Sequence, residues 1–191
     1  MSDSFLSIMG DCEKCPGCDL SSFIVTAVGS RVMMNGNSRP YIRDTDVLFI
    51  VSDVAKHKEA LPLLLMYMGV RLKNYRVISP SLGFPDSKPK IGNVKNCASL
   101  VSEYIGACNA KVVVSVGKLV SKMLAGEKAT LPPTSFGRTL PIISGCETPV
   151  FILNDILPLC DPREADFHYG IISESANRLK AYLKDCLSNV Q

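Results

Sequence analysis

The sequence predicts an α/β fold: a three-layer sandwich around a central, mainly parallel four-stranded sheet, formed as one domain over residues 1–191. Two observations lead to it. Short runs rich in β-branched residues are apolar throughout, as in strands covered on both faces, and they alternate with longer segments whose apolar residues recur at helical spacing. The chain is also 47% hydrophobic and 20% charged over 191 residues, which suits one sizeable core and excludes disordered and collagen-like chains.

The elements follow in order. DVLFIVSD, Asp46 to Asp53, is an apolar run with polar flanks and reads as the first strand. KEALPLLLMYMG, Lys58 to Gly69, reads as a helix with Pro62 in its first turn and Gly69 as its stop. YRVIS, Tyr75 to Ser79, is the second strand, and a loop rich in Pro, Gly and Lys runs from Pro80 to Asn93. VKNCASLVSEYIGAC, Val94 to Cys108, has apolar residues at helical spacing. KVVVSVG, Lys111 to Gly117, is the clearest buried strand, and KLVSKMLAG, Lys118 to Gly126, is a short helix after it. TPVFILND, Thr148 to Asp155, is the fourth strand, and IISESANRLKAYLKDCL, Ile171 to Leu187, closes as an amphipathic helix.

In such sheets ligands sit beyond the carboxyl ends of the strands. That rule points to Ser52 and Asp53, to Ser79 through Gly83, and to Asn154 and Asp155. The sequence has no internal repeat, no Gly-rich phosphate loop of the usual spacing and no HExxH, which sets those classes aside. The net charge of +3 is too mild to demand a nucleic acid. Its Lys and Arg nevertheless cluster at Gly69 to Arg76 and Asp86 to Asn96, as a phosphate-facing edge or as a solvated surface. No apolar run reaches the ~20 residues of a membrane span, and the first residues lack the pattern of a signal peptide, so a soluble, cytoplasmic protein is expected.

Eight cysteines in a chain without an export signal suggest metal or redox chemistry rather than a disulfide framework. Three of them, Cys12, Cys15 and Cys18, recur at an even interval in GDCEKCPGCDL. Cys108, Cys146, Cys160 and Cys186 are scattered on apolar segments and read as core residues.

Several stretches in order resemble the uracil-DNA glycosylase superfamily, most of all its iron-sulfur (family 4 type) branch. CPGCDL stands where that branch has CxxCxL, DVLFIVSD resembles its first strand and catalytic loop, and VISPSLGFPDSKP resembles its second strand and Cys-Arg-Pro-Pro loop. VKNCASLVSEYI resembles the helix with its last cluster ligand, AKVVVSVGKLVSKMLAGEK its third strand and following helix, and PVFILNDILPLCDP takes the place of its HPS motif. The resemblance implies a 4Fe-4S cluster on four thiolates. Gly83 replaces one expected cysteine while the N-terminal run has one to spare, so the implied ligands are Cys12, Cys15, Cys18 and Cys97, with residues 10–20 as a cluster-binding loop. Tetrahedral zinc on the same thiols is the competing metal, and uncoordinated thiols are the remaining possibility.

The catalytic stretches depart from the family. Val51 and Val54 replace the Gly and Pro of its loop, and the aromatic stacking segment is missing. Asp53 falls where the GQDPY branch has its water-positioning aspartate, but a carboxylate there would equally cap the next helix. The base-reading Asn corresponds to Ser79, too short for paired hydrogen bonds, and the catalytic His corresponds to Asn154 or Asp155. His57 lies beside the active loop, where it would either take over a catalytic role or be a solvated loop residue. The expectation from the resemblance is a divergent iron-sulfur protein that binds DNA or a replication or repair partner, with base excision lost or altered. The alternative is an active glycosylase for uracil or a modified pyrimidine, in a phage or viral setting, with Asp53 placing the water, Ser79 reading the base and Asn154 stabilising the leaving group. A flavodoxin-like binding domain with structural zinc is the reading that needs no DNA.

Overall fold

The computed structural model describes residues 45–79, 97, 101–126, 136–142 and 147–187. These form a five-stranded sheet in the order β2-β1-β3-β5-β4. The strands are β1 (Val47–Ile50), β2 (Tyr75–Ile78), β3 (Val112–Val116), β4 (Thr139–Leu140) and β5 (Val150–Leu153). β2, β1, β3 and β5 run parallel to one another, and β4 runs antiparallel on the edge beside β5. The helices are α1 (Val54–Met68), α2 (101–107), α3 (Lys118–Ala125) and α4 (Ala165–Cys186), with a 3-10 turn at Leu157–Cys160 between β5 and α4. Among the described residues no helix is long and apolar enough to cross a membrane.

The sheet separates two apolar layers because successive side chains on a strand point to opposite faces. Leu48, Ile50, Val113, Val150 and Ile152 face a layer shared with Val101, Tyr104 and Ile105 of α2 and Val120 and Leu124 of α3. Val47, Phe49, Val112, Val114, Phe151 and Leu153 face the other, with Leu61, Leu64 and Met68 of α1 and Ile172, Ala176, Leu179 and Leu183 of α4. The result is a mostly parallel α/β sandwich with helices on both faces, the coarse architecture expected from the alternating runs.

Four details differ from expectation. The sheet has a fifth strand, because a two-residue edge strand leaves no period to read; its pairing is extended by the Gly137 amide donating to Ile152 O at 2.7 Å. α1 begins at Val54, four residues before Lys58, because Asp53 caps it. Pro62 therefore lies in the helix interior rather than the first turn, and its ring stands on the exposed face, where water can reach the carbonyl of Lys58 that it leaves without an amide. α4 begins at Ala165, six residues before Ile171. Its first turns are mostly exposed and lack an apolar stripe, and they are held by polar and aromatic contacts: Tyr169 stacks on Tyr67 of α1 at 4.6 Å, and the Tyr67 hydroxyl donates to Asp166 at 2.6 Å.

Candidate functional site

The connections reverse direction at the carboxyl edge of the sheet, between β1 and β3. The chain leaves β1 through α1 on one face and leaves β3 through α3 on the other, so the ends of these adjacent strands are not covered by the same helix. This is the switch point at which open α/β sheets take their ligands. Around it the chain sets Ser52 and Asp53 after β1, Gly117 after β3, and Asn154 and Asp155 after β5.

Asp53 is the N-cap of α1. Its backbone is extended, and Oδ1 accepts a hydrogen bond from the Lys56 amide at 3.1 Å, satisfying one of the orphan donors of the first turn. Oδ2 lies 3.5 Å from the Lys56 ammonium, which is largely solvated and adds little. Of the two roles open to Asp53 in the sequence, the cap is the one its hydrogen bonds display.

With the helix starting at Val54, His57 falls on its inward face together with Val54, Leu61, Leu64 and Met68. His57 is fully buried, not a solvated loop residue. Its Nδ1 lies 2.7 Å from the carbonyl oxygen of Asp53, which can only accept, so Nδ1 carries the hydrogen and donates it. The other ring nitrogen, Nε2, has no hydrogen-bond partner among the described residues and lies 3.6 Å from Oδ1 of Asp155.

Asp155 is the exposed member of this pair, with 55% of its side chain accessible. Oδ1 also accepts the Leu157 amide at 3.1 Å, which fixes the carboxylate at the start of the 3-10 turn. Its carboxyl is held below the usual range by the His57 imidazole foremost and by the amides of Leu157 and Ile156, against an opposing effect of partial burial. It therefore stays ionised and serves as an acceptor, not as a general acid. Gly117 lies opposite: a Cβ there would stand 3.8 Å from the Asp155 Cβ and Cγ and 3.9 Å from Oδ2. Its φ of 85° favours glycine, so this side of the carboxylate is lined by bare backbone at the head of α3.

The remaining predicted residues are placed differently. Asn154 is half-buried and tied to α4 by a 2.6 Å contact between its Oδ1 and the Ser175 hydroxyl, which also lies 2.9 Å from Ile172 O. Ser79 is buried immediately after β2. Sequence reasoning missed the coupling of His57 to Asp155. The signal was present in the spacing of 54, 57, 61, 64 and 68, legible once Asp53 is taken as the cap.

The metal expectation is corrected. Among the described residues no three of His, Cys, Asp and Glu lie together as a metal site would need. Cys97, the described member of the expected ligand set, is buried in the apolar layer that also holds Val101, Tyr104, Ile105 and Cys108. Cys12, Cys15 and Cys18 lie outside the described residues. The chain matches no model of a known protein family and no curated protein. The 4Fe-4S cluster, its zinc alternative, and the divergent DNA-binding repair or replication protein or altered glycosylase built on them have no donor set among the described residues and no matching relative behind them, and we set them aside.

Proposed function

We propose that this protein is a binding domain for a polar small molecule, and that the ligand is anchored at the switch point by hydrogen bonds donated to Asp155. The observation that carries this reading is a single one: an ionised, solvent-facing carboxylate held at the carboxyl edge of a parallel sheet by a buried imidazole whose facing nitrogen has no other partner among the described residues. The chemistry selects hydroxyl- or amine-bearing ligands, since a fixed carboxylate accepts hydrogen bonds and repels anions. Kinship with the uracil-DNA glycosylase superfamily belongs to the same proposal as a statement about scaffold alone. It is supported by three parallel strands lying in the segments that carried the resemblance and by a fourth, β2, that overlaps one of them.

The test is a thermal-shift screen of polyols, amino sugars, nucleosides and simple amines, repeated with Asp155→Asn. Stabilisation by at least one class that is lost in the variant supports the proposal. Equal stabilisation of both proteins, or none by any class, contradicts it. Single-stranded oligonucleotides enter as a separate arm, and a shift by these alone, retained in Asp155→Asn, would replace the small-molecule reading with a polymer surface elsewhere on the protein.

A further inference from the structure

The Nε2 atom of His57 poses a chemical problem that the rest of the core does not. Nδ1 already donates to Asp53 O, so a neutral ring must present a lone pair at Nε2, and the atom that it faces is a carboxylate oxygen 3.6 Å away. Two acceptors facing one another repel, and with Nε2 itself shielded from solvent no other donor among the described residues reaches it. A hydrogen on Nε2 removes the conflict, turning the contact into an attraction between an imidazolium and an ionised carboxylate.

We propose that His57 is a positioning residue that holds Asp155 at the ligand site through a doubly protonated ring, so that the proton on Nε2 controls the orientation of the carboxylate. With the proton present, Asp155 is fixed from two sides, by His57 and by the Leu157 amide. Without that hydrogen, the lone pair on Nε2 and the carboxylate oxygen that it faces would oppose one another. The neighbouring elements carry other charged groups. Asp53 pairs with Lys56 at the head of α1, and Glu59 of α1 faces Cys160 of the 3-10 turn, where burial foremost and then the Glu59 charge raise the thiol. Gly117, from β3, brings no charge. The effect on binding rests on the reading of Asp155 as the ligand anchor, but the state of the ring does not.

The experiment is long-range 1H–15N correlation of the full chain at neutral pH. Only two histidines are present, and His168 is distinguished by its exposed contact with Glu164. The expected result is two N–H nitrogens in the His57 ring and, in Asp155→Asn, a change of Nε2 to a lone-pair nitrogen, because the amide can donate to it. An Nε2 lone pair in the wild-type ring, or a ring state that Asp155→Asn leaves unchanged, would overturn the proposal. Should the variant fail to fold, the wild-type ring decides alone. A ligand screen that finds nothing would not alter the ring spectrum, so the two proposals fail separately.

Discussion

Asp53 offers a clean separation between a carboxylate kept for its charge and one kept for its hydrogen bond. Asp53→Ala removes the acceptor for the Lys56 amide at 3.1 Å and the contact with the Lys56 ammonium. The first loss costs about 0.5–2 kcal/mol, the range for an N-cap replaced by alanine. The second contributes under about 0.5 kcal/mol because the lysine is largely solvated. The carbonyl of Asp53 is untouched, so His57 keeps both of its bonds to it. We expect a total near 1 kcal/mol, or about 2–4 °C in Tm for a chain of this size. Asp53→Asn keeps a capping oxygen and should stay within about 0.5 kcal/mol of the wild type. Urea unfolding monitored by far-UV circular dichroism measures both. If the asparagine variant loses as much as the alanine variant, the charge and not the cap is what matters, and the assignment of Asp53 as a structural cap is wrong.

Further outcomes follow from other positions. Gly117→Ala places a side chain at a φ of 85° and should cost about 1–3 kcal/mol in the same unfolding measurement. Gly137→Ala is strained at a φ of 79° and puts its Cβ 3.3 Å from the Ser175 Cα and 2.6 Å from the Arg178 Cδ. It should cost a similar amount and loosen α4, seen as faster amide exchange there, whereas unchanged exchange would show that Arg178 swings aside freely. Asp155 has a folded-state carboxyl lowered relative to the unfolded chain, so its contribution is present above the ordinary carboxylate range and is lost as pH falls through the folded value. Because the group is more than half exposed, the contribution is about 1 kcal/mol or less; the difference between wild type and Asp155→Asn should shrink from pH 7 to pH 3, and a constant gap would contradict it. Cys97→Ala should cost about 1–2 kcal/mol by emptying space among Val101, Tyr104 and Ile105, and an unaltered stability would mean that the thiol is not packed there.

The fold was largely legible because its strands are short, β-branched and buried on both faces, a pattern that survives without any knowledge of neighbours. Val112–Val116 and Val150–Leu153 lie inside the stretches read as strands. What escaped was set by partners distant in sequence. Thr139–Leu140 is a strand only because β5 lies beside it, and the first turns of α4 exist because Tyr67, about a hundred residues earlier, stacks on Tyr169 and bonds Asp166. The site was legible in part. The rule that ligands lie beyond the strand ends selected Asp53, Asn154 and Asp155, but the resemblance directed attention to the thiols and cast His57 as a neighbour of the loop. Starting α1 four residues late hid the helical phase that turns His57 inward, and with it the pairing that separates Asp155 from an ordinary surface carboxylate.

The most direct test of the ligand site is an amide 1H–15N map of the full chain titrated with a compound that stabilises it in the thermal screen. The expected result is shifts concentrated at Val51 to Asp53, Gly117 to Leu119 and Asn154 to Leu157, absent in Asp155→Asn. Shifts confined to another face, or unchanged by that substitution, would contradict a ligand site anchored on Asp155.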